Sequence, residues 1–180
     1  MKPTNHPMFQ KPLQFTLLAD ARTYVVDHAD QVVKGAPGKG RRGVPCPCCG
    51  RMAACYPRKL NYKMALGLMF LVNRSAATNG NWVHMPTEAP RDIVKTNEYA
   101  TLEHWELIVQ KPNVNDPTKR CSGMWKPTDL GIAFVFKKAT VSRIAHIYAE
   151  RLQGYSGGQV DIVAALGDYS DYDEMMQKLR

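Results

Sequence analysis

YATLEHWELIV at residues 99–109 and GMWKPTDLGIAFV at residues 123–135 bracket a polar, proline-containing segment, KPNVNDPTKRCS at 111–122. In the first string Thr96 stands where an N-cap is needed, and Leu102 and Trp105 turn inward together, so a helix is expected over 97–105. Leu107, Ile108 and Val109 follow at once as a continuous apolar run, the signature of an extended stretch. Met124-Trp125-Lys126-Pro127 can then return antiparallel to it, which makes a hairpin with a long basic tip. Thr128 caps a second short helix, DLGIAFVFKK, with Leu130, Ala133 and Phe134 directed to the core.

Toward the N-terminus, Leu60, Met64, Leu68, Leu71 and Val72 form one apolar face, and Asn79-Gly80 ends the strongest helical pattern in the chain. A short strand over 81–84 follows, then a turn or a single helical turn at Pro86 and Pro90. Earlier still, Leu17, Ala21, Tyr24, His28 and Val32 lie on one stripe of an amphipathic helix expected over 13–33. KGAPGKGRRGVP at 34–45 then reads as a flexible basic linker. It lacks the G-x-x-x-x-G-K-[ST] pattern and no strand leads into it, so it is not read as a phosphate-binding loop. Toward the C-terminus, RIAHIY and RLQGYS around Ala149-Glu150 fit a hairpin, with a continued helix as the alternative. A short helix around Ile162, Ala165 and Leu166 and a last one over 171–179 complete the chain.

From Leu60 to Phe136 this order, with Trp105-Glu106-Leu107-Ile108 at the end of one helix and Trp125-Lys126-Pro127-Thr128-Asp129-Leu130-Gly131 at the start of another, resembles the winged helix-turn-helix family. More loosely, the whole chain looks like small phage-encoded proteins that join a CPxCG knuckle to such a domain. The resemblance implies an α+β fold: a winged-helix core with an N-terminal helix and a small C-terminal α/β extension. Residues 1–43 would be the N-terminal helix and basic linker, 44–138 the knuckle and winged helix, and 139–180 the extension. The family's second helix enters the major groove, and its wing touches phosphate or the minor groove. Mapped here, the exposed face would include Lys95, Asn97, Glu98, Thr101 and His104, of which Asn97 and His104 would read base edges, while Lys111, Lys119 and Arg120 on the wing would hold phosphates. Glu98, Glu103 and Glu106 depart from that pattern, because carboxylates on this helix repel a phosphate backbone.

Charge points the same way. The chain of 180 residues has a formal charge of +8, but residues 1–75 hold 12 Lys and Arg against 3 Asp and Glu, while residues 76–180 hold 12 against 13. An anionic partner, nucleic acid above all, is expected at the N-terminal part, with mere solubility as the plain alternative. Its basic set is Lys39, Arg41, Arg42, Arg51, Arg58, Lys59 and Lys63. No apolar run reaches the roughly 18 residues that a membrane span needs, and the first residues lack a signal-peptide core, so a cytoplasmic protein is expected.

Cys46-Pro47-Cys48-Cys49-Gly50 contains a Cys-x-x-Cys whose Pro and Gly would turn two thiolates toward one tetrahedral metal. Cys46, Cys49 and Cys55 are the expected ligands of a structural zinc, with Cys48, Cys121, His84 or His28 as the fourth, against a bare turn with reduced thiols. A thioredoxin-like use lacks the strand before the motif and the long helix after it. The five histidines show no spacing that pairs them with a nucleophile, and Asp168, Asp171, Asp173 and Glu174 lack the calcium-loop pattern. No catalytic site is read. The expectation is a non-enzymatic nucleic-acid-binding regulator, most simply of DNA; the alternative is an adaptor or inhibitor that binds a host protein.

Overall fold

Ala21 and Val25, four residues apart and so on one face, are buried in the first helix, α1 (Leu18–His28). The computed structural model describes residues 18–28, 44–48, 52–54, 56–113, 121–148, 150–169 and 171–178. They form two compact units, Met1–Tyr56 with Ile147–Glu150, and Pro57–His146 with Arg151–Arg180. The first contains α1 and a small antiparallel pair, β1 (Val44–Pro45) and β2 (Met52–Ala53), with Val44 opposite Ala53 and Pro45 opposite Met52. The linker over 34–43 and the outer turns of the helix expected over 13–33 lie outside the described residues.

The second unit is built around one helix. β3 (Tyr56–Lys59) leads into α2 (Tyr62–Ala77), in which Met64 to Met69 are six consecutive buried residues. A helix apolar all round must be enclosed by its neighbours, and α2 is the axis of this core. Its cap is Asn61, whose Oδ1 accepts from the Met64 N–H at 3.0 Å while its Nδ2 donates to Glu98 Oε2 at 2.7 Å. Asn79 and Gly80, both at positive φ, end the segment as expected.

β4 (Val83–His84), α3 (Met85–Glu88) and α4 (Arg91–Val94) follow, the two helices being single turns that begin at or beside Pro86 and Pro90. Glu88 clamps this region: one oxygen pairs with Arg74 Nε at 2.6 Å and the other accepts the His84 N–H at 2.9 Å, which holds its carboxyl below the usual range.

The helix expected over 97–105 is present but is a 3-10 helix, Glu98–Trp105, counted below as the third helix of this core, after α2 and the pair of single turns α3 and α4. With three residues per turn, side chains three apart eclipse. Tyr99, Leu102 and Trp105, all buried, therefore form a single line, which an α-helix would have fanned round its surface. The expected Thr96 cap gives way to Asn97 at φ 52°, a left-handed position Asn tolerates, with no side-chain cap bond.

β5 (Ile108–Gln110) and β6 (Met124–Pro127) make the expected hairpin, Val109 opposite Lys126, and β4 joins it on the other side of β6, so the sheet order is β4-β6-β5. Thr128 caps α5 (Asp129–Val135) as read from the sequence, its Oγ1 accepting from the Gly131 N–H at 3.0 Å and donating to the Glu106 carbonyl at 2.6 Å.

The 141–156 segment is the hairpin expected, β7 (Val141–Tyr148) and β8 (Arg151–Val160), and β3 adds to its other edge in the order β3-β7-β8. α6 (Ile162–Leu166) and α7 (Tyr172–Lys178) close the unit; Tyr172 donates to the Val135 carbonyl at 2.9 Å while Lys137 lies 3.7 Å over its ring. The described architecture is thus mixed, helices with small antiparallel sheets. Among the described residues no helix is long and apolar enough to cross a membrane.

Candidate nucleic-acid interface

The 3-10 helix sorts its own surface into columns. With Tyr99, Leu102 and Trp105 buried, Glu98, Thr101 and His104 form one half-buried column, and Ala100, Glu103 and Glu106 the other. Glu98 is tied to Asn61, but Glu103 and Glu106 are exposed, so the free column is acidic. Lys95 and Asn97 are exposed at its N-terminal end, and Thr101 is half-buried.

Its C-terminal end is held by the β3-β7-β8 sheet. Trp105 Nε1 donates to the Ser142 carbonyl at 2.6 Å, and the Tyr155 hydroxyl donates to the His104 carbonyl at 2.6 Å. Burial, then the Glu106 charge, raises the Tyr155 phenol above its ordinary value, so it stays a donor. Burial lowers the His104 imidazole below its ordinary value, with Glu103 opposing. A histidine depressed in the folded state takes up its proton more readily when unfolded, so its stabilising contribution is present above the unfolded value near 6.5 and is lost as pH falls through the folded one. His104→Gln should therefore flatten the decline of thermal stability below about pH 6.5. A melting-temperature profile identical to wild type between neutral and mildly acidic pH would count against this burial.

Arg58 and Lys59 are exposed on β3, and Lys63 is exposed in the first turn of α2, which has no acidic residue to offset the positive helix end. Lys39, Arg41, Arg42, Arg51, Lys119 and Arg120 lie outside the described residues. Lys111, at the foot of the 111–123 loop, is exposed, and its N–H donates to the Met124 carbonyl at 2.9 Å.

The sheet brings in two cations that were not singled out from the sequence, Arg143 on β7 and Arg151 on β8, both exposed. None of β3, β7 and β8 carries Asp or Glu. That shared lack of acids was a readable signal, but only the pairing of β3 with a hairpin more than 80 residues later makes it a surface.

For the expected zinc site, Cys46 follows β1 directly and is half-buried, and Cys48 is exposed in the turn before β2; Cys49 and Cys55 lie outside the described residues. His84 Nδ1 is 2.7 Å from Thr87 Oγ1, and Cys121 is exposed beside Gln110. Among the described residues no three His, Cys, Asp or Glu side chains are grouped to hold a metal.

No family model, curated protein or solved structure matches the chain.

Proposed function

We propose that this chain is a nucleic-acid-binding protein of winged-helix type that acts by occupancy, without a catalytic step. The observation that carries the reading is the order of elements in the second unit: a long helix, a short strand, short helices, a hairpin, and the sheet order β4-β6-β5. That order supports the winged-helix reading, in which β5 and β6 would be the strands of the wing.

The docking mode departs from the usual one. A recognition helix in a major groove presents donors and cations to base edges and phosphates. Here the free column of the third helix presents Glu103 and Glu106. The attraction comes instead from exposed cations outside that helix, Arg58, Lys59 and Lys63 among them.

The test is fluorescence anisotropy with labelled duplex DNA and single-stranded RNA and DNA of random sequence at two salt concentrations. Micromolar or tighter binding that weakens steeply with salt is the expected result, since each neutralised phosphate releases counterions. Absence of binding to all of them at low salt overturns it.

A second reading, an adaptor for a host protein, is favoured by α5. Ile132 and, at its C-cap, Phe136 are 39% and 47% exposed, and Leu130, expected in the core, is instead 36% exposed. Such apolar surface suits a protein partner and is of no use to a phosphate backbone.

A further inference from the structure

We infer that the nucleic acid this chain takes is a single strand, and that it lies on the β3-β7-β8 sheet and not against the third helix of the winged-helix core. The inference rests on the nucleic-acid reading and assigns that reading a surface and a ligand class.

Charge selects the sheet. Arg58, Lys59, Arg143 and Arg151 are all exposed, the three strands hold no acid, and the ion pairs among the described residues, Arg74 with Glu88 and Lys178 with Glu174, involve none of the four. Arg58 and Lys59, consecutive on β3, point to opposite faces, so up to three of these cations can share one face of the sheet and offer a track to a polyanion. The third helix offers the opposite sign at Glu103 and Glu106, and its C-terminal end is already bonded to this sheet through Trp105 and Tyr155.

Shape and stacking select a single strand. Tyr155 is 44% exposed on β8, and its hydroxyl bond to the His104 carbonyl fixes the ring in one orientation. A fixed, half-exposed ring is a platform on which any unpaired base can stack, whereas the bases of a duplex have their faces covered. Beside it the strand is open: a Cβ added at Gly154 or Gly158 would meet nothing within 4 Å, and positive φ, 155° and 70°, is what calls for glycine at both.

Labelled oligodeoxythymidine and a labelled duplex of the same length are titrated by anisotropy over a series of salt concentrations against wild type, Arg143→Ala/Arg151→Ala, Tyr155→Leu and Tyr155→Phe. The substituted side chains are exposed, and circular dichroism checks that each variant retains the fold. Wild type is expected to bind the single strand at least tenfold more tightly than the duplex. The double variant should lose about tenfold or more and reduce the log–log salt slope by roughly 1.4, two phosphate contacts at about 0.7 each. Tyr155→Leu should lose about tenfold with the slope unchanged, while Tyr155→Phe, which keeps the ring, should lose less. Duplex bound as tightly as the single strand, or single-strand binding untouched by the double variant, overturns the inference and leaves the nucleic-acid reading standing. Absence of binding to both overturns the two together.

Discussion

Gly131→Ala is expected to lower stability by about 3 kcal/mol or more, at the upper end of what overpacking costs. A Cβ at position 131 would lie 2.0 Å from the Leu107 carbonyl oxygen, an approach at which backbone must move. The carbonyl has little freedom. It accepts the Thr128 N–H at 3.1 Å, the Thr128 hydroxyl donates to the neighbouring Glu106 carbonyl at 2.6 Å, and the next residue, Ile108, pairs with Pro127 in the sheet. Thr128 and Gly131 thus act together: the threonine caps α5 and ties it to the end of the third helix, and the glycine lets the two backbones come that close. At roughly 2–4 °C per kcal/mol for a chain of this size, the melting temperature should fall by about 6–12 °C. A thermal melt within about 2 °C of wild type would show that the two backbones are not in contact here.

Trp105→Ala should be comparably damaging, about 3–5 kcal/mol for emptying a large aromatic site. The indole is 2% exposed and forms the last step of the Tyr99, Leu102, Trp105 line, so its loss opens a cavity between the third helix and the core. It also removes the donor to the Ser142 carbonyl. Trp105→Phe separates the two effects: most of the apolar volume remains and the carbonyl loses its partner, at a cost of about 1–3 kcal/mol. Urea denaturation should give midpoints in the order wild type, Phe, Ala, with an unchanged m-value if only the folded state is affected. A Phe midpoint equal to wild type would remove the hydrogen bond from the account, and equal midpoints for the two variants would remove the cavity.

The parts of this fold readable in the sequence were those set by local chemistry. α2 announced itself by Leu and Met at helical spacing and by Asn79-Gly80 at its end. Thr128 is a cap because its hydroxyl reaches the N–H three residues on, whereas Gly154, Gly157 and Gly158 do not end the second hairpin but lie inside β8, which runs on to Val160. Two things were not legible. Leu102 and Trp105, three apart, fit either helical period, so the type of the third helix was not readable, and its cap moved from Thr96 to a left-handed Asn97 that no pattern marks. β3 has four exposed residues without alternation and a proline among them, so nothing local assigns it to a sheet. Its pairing with β7 is a long-range event, and with it went the grouping of Arg58 and Lys59 with Arg143 and Arg151. The candidate surface was therefore seen from the sequence only as an excess of charge in the N-terminal part.

The measurement that bears most directly on the account is the salt dependence of binding to a labelled single-stranded oligonucleotide by the full chain. The account predicts micromolar or tighter binding at low salt and a log–log slope of magnitude near 2, about 0.7 for each of three sheet cations engaged with a phosphate. No binding at low salt, or binding indifferent to salt, would contradict it and turn attention to the apolar face of α5.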